Sequence, residues 1–568
     1  MLLLGRSADA ALCWAGFSGP ALAADPSLGA DMTGATCWPR MPAGRERRLA
    51  RRRTGPRTAQ RVLRQALSAV LLLLLLVPAE ADPPLPGFDA ALTAQVYTTA
   101  LAFMAPRTLD PVPVSQLTQW GLGGLTALDP DLDTRLDHGV LRLMQNNHEL
   151  LRLMPPPGEN PAAWANLAAL FARTAWDHSS AVRHAGTQGI IQSFFDEMFN
   201  HLDPYSRYVP PREAKADRAE RNGSAGLGVT LQTHGAQVRV DNAIAGGPGA
   251  VAGMRAGDTV ISVDGQVARG QPAGVVAGWL AGPADSRVSV VWADANGRVR
   301  RGVLQRAMVP PETVFAGRLG KLLVIRILGF DKSTAAHVAS ALEAGLHIAH
   351  PPDGIVLDLR GNRGGVLRQA VEVADAFLSH GVITATAGRD PQATNIWRAF
   401  SGGIATSQPL VLLVDGRTAS AAEVLSAALA DQGRAVVVGS ETLGKGLVQT
   451  VTTLPDGGEL FVTWSRLLAP RGWPLQGMGV LPQLCTSRGR AATEAAVAAL
   501  EAGVQPMAEA IARARNARAP IPPAQIVAIR QACPAAIGQE IDMEVARTLI
   551  EDPAAYAAAL LPPLPGPN

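Results

Sequence analysis

From residue 311 to 484, short apolar runs alternate with stretches of helical period. Leu322-Leu323-Val324-Ile325-Arg326-Ile327, Gly354-Ile355-Val356-Leu357-Asp358-Leu359, Pro409-Leu410-Val411-Leu412-Leu413-Val414 and Ala435-Val436-Val437-Val438 read as strands covered on both faces. Helices are predicted between them at about 333–349, 366–380 and 419–431. That alternation predicts α/β architecture with a largely parallel sheet. Upstream, residues 221–310 carry shorter β-type runs, Val238-Arg239-Val240, Thr259-Val260-Ile261-Ser262-Val263 and Ser289-Val290-Val291-Trp292, separated by glycine-rich turns such as Asp264-Gly265. Residues 82–220 are mostly helical in pattern, with two helices read as stopped at Asp129-Pro130 and Asp203-Pro204. Residues 485–568 are Ala-rich and helical, ending in Pro-rich coil. The chain is thus expected to be a multidomain α/β protein with a helical N-terminal region, a small β-rich unit, an α/β core and a helical C-terminal extension.

The first 81 residues are expected to be a leader. A basic cluster (Arg45, Arg47, Arg48, Arg51, Arg52, Arg53) precedes an apolar run of leucines ending at Val77, then Ala79-Glu80-Ala81, an A-x-A-like cleavage site. The apolar run is short for a transmembrane helix. An exported, periplasmic location follows, and the sequence leaves open an uncleaved leader that anchors the chain to the inner membrane, and Met41 as the true start. The formal charge of +3 over 568 residues gives no nucleic-acid footprint. Cys13 and Cys37 fall in the leader, so the mature chain keeps Cys485 and Cys533. In an oxidising compartment these are either one disulfide, tying the helical tail to the core away from the catalytic strands, or two buried thiols.

Charge usage singles out one residue. Lys plus Arg total 51, yet the lysines are only Lys215, Lys321, Lys332 and Lys445. Lys445 lies in Gly439-Ser440-Glu441-Thr442-Leu443-Gly444-Lys445-Gly446, after an apolar strand. Arginine cannot lose its proton in a protein, whereas a buried lysine can. A chain that defaults to Arg but keeps Lys in a glycine-flanked turn points to an amine that works as a base. Ser420, in Asp415-Gly416-Arg417-Thr418-Ala419-Ser420-Ala421-Ala422-Glu423, follows a strand and opens a helix, where free N–H groups and the helix dipole suit an oxyanion. Serine and neutral lysine can form a nucleophile and base pair. Ser420 to Glu423 also fits a capping box, so helix capping remains the competing reading. A phosphate-binding loop at Lys445 is rejected, because Gly446 stands where Ser or Thr would hold magnesium and a strand follows instead of a helix. Asp358-Leu359-Arg360-Gly361-Asn362-Arg363-Gly364-Gly365 ends a strand in a glycine-rich turn, either an anion-binding turn or an ordinary βα connection. No H-E-x-x-H or G-x-S-x-G occurs, the ten histidines lack metal spacing, and neither a metal nor a cofactor is expected.

Together these segments resemble the carboxyl-terminal processing protease family, the tail-specific serine proteases, over roughly residues 85–484. The family's Leu-Asp-Leu-Arg-Gly-Asn-Pro-Gly-Gly turn is matched at 357–365, with Arg363 replacing Pro. Its Ser-Ala-Ser-Ala-Ser-Glu segment is matched by Thr418-Ala419-Ser420-Ala421-Ala422-Glu423, and its Gly-Lys-Gly-x-Val-Gln segment is complete at 444–449. Leu202-Asp203-Pro204-Tyr205-Ser206 resembles the segment leading into the family's PDZ domain. The resemblance implies Ser420 as nucleophile, Lys445 as general base, Gln449 as the residue orienting the lysine amine, Gly364 or Gly365 with Ala421 as the oxyanion hole, and Asp431 as a supporting acid. It implies a PDZ domain at 221–310, a protease core at 311–484, a helical domain at 82–220 and an extension at 485–568. Gly226-Leu227-Gly228-Val229 resembles the loop that captures a substrate's terminal carboxylate. Expected partners are proteins or peptides with apolar C-termini. A homo-oligomer, an adaptor protein and a catalytically silent tail-binding module on the same fold stay open as alternatives.

Overall fold

The computed structural model describes residues 87–400 and 402–562; the leader lies outside the described residues. The core is a six-stranded sheet in the order Val314–Leu319, Leu322–Ile327, Gly354–Asp358, Leu410–Val414, Val436–Gly439, Leu484–Cys485. The first two strands form an antiparallel hairpin, and every later neighbour pairs in parallel. Gly354–Asp358 and Leu410–Val414 are buried at every position, which is why they read as continuous apolar runs. The period of two still divides them. Ile355, Leu357, Leu410, Leu412 and Val437 face helices Thr334–Leu346, Leu367–Asp375 and Ala421–Asp431. Val356, Val411, Leu413, Val436 and Val438 face Ile541, Val545 and Leu549 of helix Glu540–Glu551. The helical extension after 485 is therefore the second covering layer of the sheet.

A second sheet, antiparallel throughout, runs Asn395–Arg398, Val382–Gly388, Glu459–Leu468, Leu447–Thr453, and Arg207–Val209 from the N-terminal region adds to Glu459–Leu468. That addition brings residues 203–209 beside the Lys445 loop.

The N-terminal region packs helices Ala90–Met104, Val114–Leu122, Pro161–His178 and Ser180–Asn200 around Tyr97, Leu101, Phe171 and Phe195. The region is mostly helical, as expected, and it also holds a three-stranded antiparallel sheet that the helical pattern did not announce, Leu132–Asp137, Val140–Gln145 and His148–Leu153. The turns carried the signal. His138 and Gly139 have φ of 47° and 77°, and Asn146 and Asn147 of 47° and 72°, the paired positive values of tight hairpin turns.

Residues 224–309 form the β-rich unit. Its sheet runs Val299–Gln305, Arg287–Ala293, Thr259–Val263, Gln237–Ala243, Val229–His234, with helix Ala273–Leu280 packed on it over Val238, Val260, Val276 and Trp292. The entering strand Ser224–Gly226 pairs with the leaving strand Ala307–Val309, so the unit closes on itself where the chain enters and leaves.

Candidate active site

Three loops at the C-terminal ends of the parallel strands converge. One follows Gly354–Asp358, one follows Leu410–Val414, and one follows Val436–Gly439. This is the edge where an open α/β sheet places its ligand sites.

Ser420 sits at the start of helix Ala421–Asp431 with φ 56° and ψ −118°. The other non-glycine residues with positive φ among the described residues are His, Asn or Asp, types enriched in that region. A serine there is strained by about 1–3 kcal/mol and is held by its surroundings. Ala419, Ala421 and Ala422 are buried around it. The Ser420 N–H donates to Glu423 Oε2 at 2.7 Å, while the Glu423 N–H goes to the Ser420 carbonyl at 2.9 Å. Ser420 and Glu423 are paired as a capping box across the first turn, and the Ser420 hydroxyl donates to no acceptor among the described residues.

The turn after Asp358 presses on this residue. A Cβ at Gly364 (φ 96°) would lie 2.8 Å from both the Ala419 carbonyl oxygen and Ser420 Cβ. The Ala419 N–H donates to the Asn362 carbonyl at 2.9 Å, and buried Asn362 accepts the Gly364 N–H at 2.8 Å. Gly364 thus serves by close approach, and its N–H is already committed. Among the described residues the N–H groups of Gly365 and Ala421 have no acceptor, Ala421 because it is the first residue of its helix. Arg363, which replaces the expected Pro, is exposed and leaves this turn intact.

Lys445 is half-buried. Burial, and then the Arg207 guanidinium, push its amine below the ordinary lysine value, against the pull of Glu423. Its Nζ lies 5.0 Å from the centroid of the Tyr205 ring and makes no ion pair among the described residues. No direct hydrogen bond joins Ser420 Oγ to Lys445 Nζ among the described residues. What joins the two residues is Glu423. Its Oε2 accepts the N–H of Ser420 and, at 2.9 Å, that of Lys445; its Oε1 accepts Thr442 Oγ1 at 2.5 Å and the Gly444 N–H at 2.7 Å. Burial raises the Glu423 pKa, and these four donors oppose it.

Two expected supporting residues are placed differently. Gln449 donates to the Leu447 carbonyl and to Thr463 Oγ1, both at 3.1 Å, rather than meeting Lys445. A bulge between Val448 and Gln449 aims its side chain at the cross-strand partner Thr463, which in turn donates to Asp203 Oδ1 at 2.6 Å. Asp431 ends the helix that Ser420 begins, about 15 Å away along the axis. It pairs with Arg515 at 2.6 Å and accepts Trp473 Nε1 at 3.0 Å, anchoring the C-terminal layer instead of the site. Glu423 and Tyr205 are the neighbours that sequence reasoning did not assign.

In the β-rich unit, Gly228 has φ 68°, and Leu227 and Gly228 accept from the N–H groups of Gly249 and Ile244, each at 2.8 Å. Their own N–H groups have no acceptor among the described residues. Val229–His234 is an edge strand beside helix Ala273–Leu280, so one row of its backbone groups is open for an added strand. The bond from Cys485 to Cys533 is formed. Its expected distance from the catalytic strands is corrected: Cys485 pairs with Gly439, the first residue of the Lys445 loop, and Cys533 Sγ lies 3.6 Å from the Gly439 carbonyl oxygen.

Residues 321–485 match the model of peptidase family S41, and residues 239–294 match a PDZ domain. Gly226 to Val229 lie just before that second match. The chain is 32% identical over 308 residues to the carboxy-terminal-processing protease of Bartonella bacilliformis, covering 52% of this chain and 69% of that protein. It is 31% identical over 301 residues to the carboxyl-terminal-processing protease of Synechocystis, covering 50% and 69%. Among solved structures, the photosystem II D1 C-terminal processing protease is 29% identical, with 64% of this chain and 92% of that one covered at a TM-score of 0.33. With more than two thirds of such relatives spanned at this identity, the chain belongs to the carboxy-terminal-processing protease family, as a serine-type peptidase carrying a PDZ domain.

Proposed function

We propose that this chain is an exported endopeptidase that selects proteins by their C-terminal tails and cuts them with a Ser420–Lys445 dyad. The observation that carries the reading is Glu423, one buried carboxylate that binds the N–H groups of both residues and so fixes the serine and the lysine on facing loops, the lysine amine being pushed below its ordinary value by burial. Neutral Lys445 takes the Ser420 proton as Oγ attacks the scissile carbonyl. The oxyanion forms against the N–H groups of Gly365 and Ala421. The tetrahedral adduct collapses, the amine leaves with the proton from Lys445, and water repeats the sequence to release the acyl group. A working base near neutrality needs the lysine lowered by roughly three units from about 10.4, or about 4 kcal/mol, in the direction that burial supplies.

Gln449 acts at one remove in this reading, through Thr463 and Asp203, by holding the 203–206 segment and hence Tyr205 over the amine. The PDZ unit receives an apolar tail as an added strand on Val229–His234, with its carboxylate at the N–H groups of 227–228. The leader, 1–81, directs export, and 82–220, 221–310, 311–484 and 485–568 are the working domain limits. Incubation of purified protein with an unfolded substrate bearing an apolar C-terminus, beside Ser420→Ala and Lys445→Arg, tests the reading. Cleavage by wild type alone supports it. Cleavage by either variant at wild-type rate removes the dyad, and tail binding without cleavage by any form makes the protein a silent adaptor.

A further inference from the structure

Residues 531–539 form an irregular strap between helices Pro523–Arg530 and Glu540–Glu551, and this strap, with Arg530 at its start, touches all three loops of the site. At the loop before Ser420, the Gly416 N–H donates to the Ala536 carbonyl at 2.8 Å, and the Gly538 N–H to Asp415 Oδ2 at 3.3 Å. At the Lys445 loop, Ser440 Oγ donates to that same Ala536 carbonyl at 2.9 Å and accepts the Ala536 N–H at 3.0 Å. One carbonyl therefore ties the nucleophile loop to the base loop. Arg530 adds to this: its Nε meets the buried Glu441 carboxylate at 3.1 Å, and its terminal nitrogens donate to the carbonyls of Gly477 and Thr442. At the glycine turn, Arg360 donates to the Gln539 carbonyl at 2.7 Å, and a Cβ at Gly538 would lie 2.4 Å from Arg360 Cδ, so the strap lies directly on that side chain. Asp415, on the nucleophile loop, also joins the strap to the glycine turn, with its Oδ2 taking the Gly538 N–H and its Oδ1 accepting the Gly361 N–H at 2.9 Å.

In the middle of this strap stands Cys533, covalently joined to Cys485 on the edge strand of the core. The strap is irregular between its two helices, and within it the disulfide is the covalent tie to the sheet. We propose that the strap is a positioning element for the Ser420 and Lys445 loops and that the Cys485–Cys533 disulfide locks it, so that reduction by a dithiol switches peptidase turnover down. In that step two electrons and two protons pass from the dithiol to the S–S bond. Two thiols form at Cys485 and Cys533, and the dithiol closes to its own disulfide. The inference rests on the Ser420–Lys445 reading and adds its redox control.

The test uses the full oxidised protein, a cysteine-free substrate with a free C-terminus, and dithiothreitol. Loops displaced by even 1 Å lower turnover on the order of a hundredfold, so kcat should fall by roughly ten- to a hundredfold on reduction. KM and tail-peptide affinity should stay within about twofold, because the PDZ unit is not part of the strap. The double variant Cys485→Ser/Cys533→Ser should show the low kcat without reductant, and an oxidant should restore the wild type but not the double variant. Arg530→Met, with the disulfide intact, should lower kcat without moving KM, and Arg530→Lys should recover part of it. A reduced protein that keeps its circular dichroism and its kcat overturns the proposal, as does a change confined to KM. If reduction unfolds the chain, Arg530→Met decides, and unchanged kcat there overturns it. Ser420→Ala is the control in the same oxidised preparation. Activity in that variant defeats the dyad reading, whereas a silent Ser420→Ala beside a fully active reduced wild type defeats only the strap.

Discussion

Replacing Glu423 by Gln isolates the group that joins the two reacting loops. The carboxylate accepts four donors while fully buried, two on each oxygen. A glutamine keeps the size but can accept on one oxygen only. Its amide nitrogen settles best toward Thr442, whose hydroxyl can turn to accept, and this leaves the Gly444 N–H without a partner. One orphaned buried donor costs about 1–3 kcal/mol. In a core of about 200 residues that is roughly 2–4 °C of melting temperature for each kcal/mol. Part of this is offset because a neutral amide is cheaper to bury than a carboxylate whose pKa burial has raised. The Ser420 and Lys445 N–H groups keep an acceptor, but a neutral one, and charge-assisted bonds are about twice as strong as neutral ones. The loops should loosen without the fold being lost. The expected result is a modest fall in melting temperature, a fall in kcat on the order of a hundredfold, and unchanged tail binding. Calorimetry, steady-state cleavage and peptide titration read these separately, and labelling of Ser420 by a serine-directed phosphonate reads the nucleophile itself. Glu423→Ala should be far worse, since it orphans all four donors. Full activity in Glu423→Gln would show that the carboxylate is only a helix cap, and stability in Glu423→Ala equal to wild type would show that its four donors need no acceptor; either result would refute the reasoning.

Lys445→Arg should abolish cleavage with the fold and tail affinity kept, because guanidinium stays protonated; turnover within a few-fold of wild type removes Lys445 as base. Because burial and Arg207 hold the amine below its ordinary value, kcat/KM should rise with pH through an inflection below about 10.4, and an inflection at or above that value contradicts the assignment. Gly228→Val meets both the positive φ and Val309 Cγ1 at 2.9 Å, so it should weaken tail binding, as should amidation of the peptide in wild type; affinity unchanged by amidation on titration rules out carboxylate capture. Glu441 is pushed up to about 8 by burial and by Glu423, against Arg530. Between its unfolded value of about 4.3 and about 8, folding takes up a proton, so this contribution is full at low pH and is lost as pH rises. Glu441→Gln lacks that slope, and its melting temperature should gain on wild type from pH 5 to pH 9; a constant difference excludes the shift.

The strands of the core were legible because burial on both faces turns them into unbroken apolar runs, and Lys445 because every other choice of cation in its surroundings is Arg. Ser420 was legible only in type. Its backbone strain, which separates a nucleophile from a helix cap, is a property of φ and ψ that no residue pattern at 418–423 encodes. Glu423 shows the converse problem. The capping-box pattern identified it correctly as a residue whose carboxylate serves N–H groups, yet the three donors besides Ser420 lie about twenty residues downstream, and that loop closure is invisible locally. Tyr205 reaches Lys445 because Arg207–Val209 pairs with Glu459–Leu468, a contact more than two hundred residues apart. Gln449 came from the resemblance alone, and its contacts were not legible in the sequence, because one bulge in the ladder of Leu447–Thr453 turns its side chain to Thr463.

The C-terminal segment was legible as helical but not in its place, because Ala-rich helical periodicity reports an apolar face without naming its partner. That face covers one whole side of the parallel sheet, so the sheet's burial and the loops' positions are set by the same segment. The consequence changes how the disulfide is understood. Closing a loop across a sequence separation of 48 should contribute about 4 kcal/mol through chain entropy, wherever the bond lies. That entropic contribution alone would lower stability on reduction and leave kcat of the surviving folded molecules untouched. A bond whose strap shares one carbonyl between Gly416 and Ser440 has a second, local effect, because releasing it frees both loops while the chain is still folded. The two effects separate by temperature. The entropic one grows visible only near the transition, whereas the local one lowers turnover well below it, and the ratio of the two losses measures how much of the bond's contribution is catalytic.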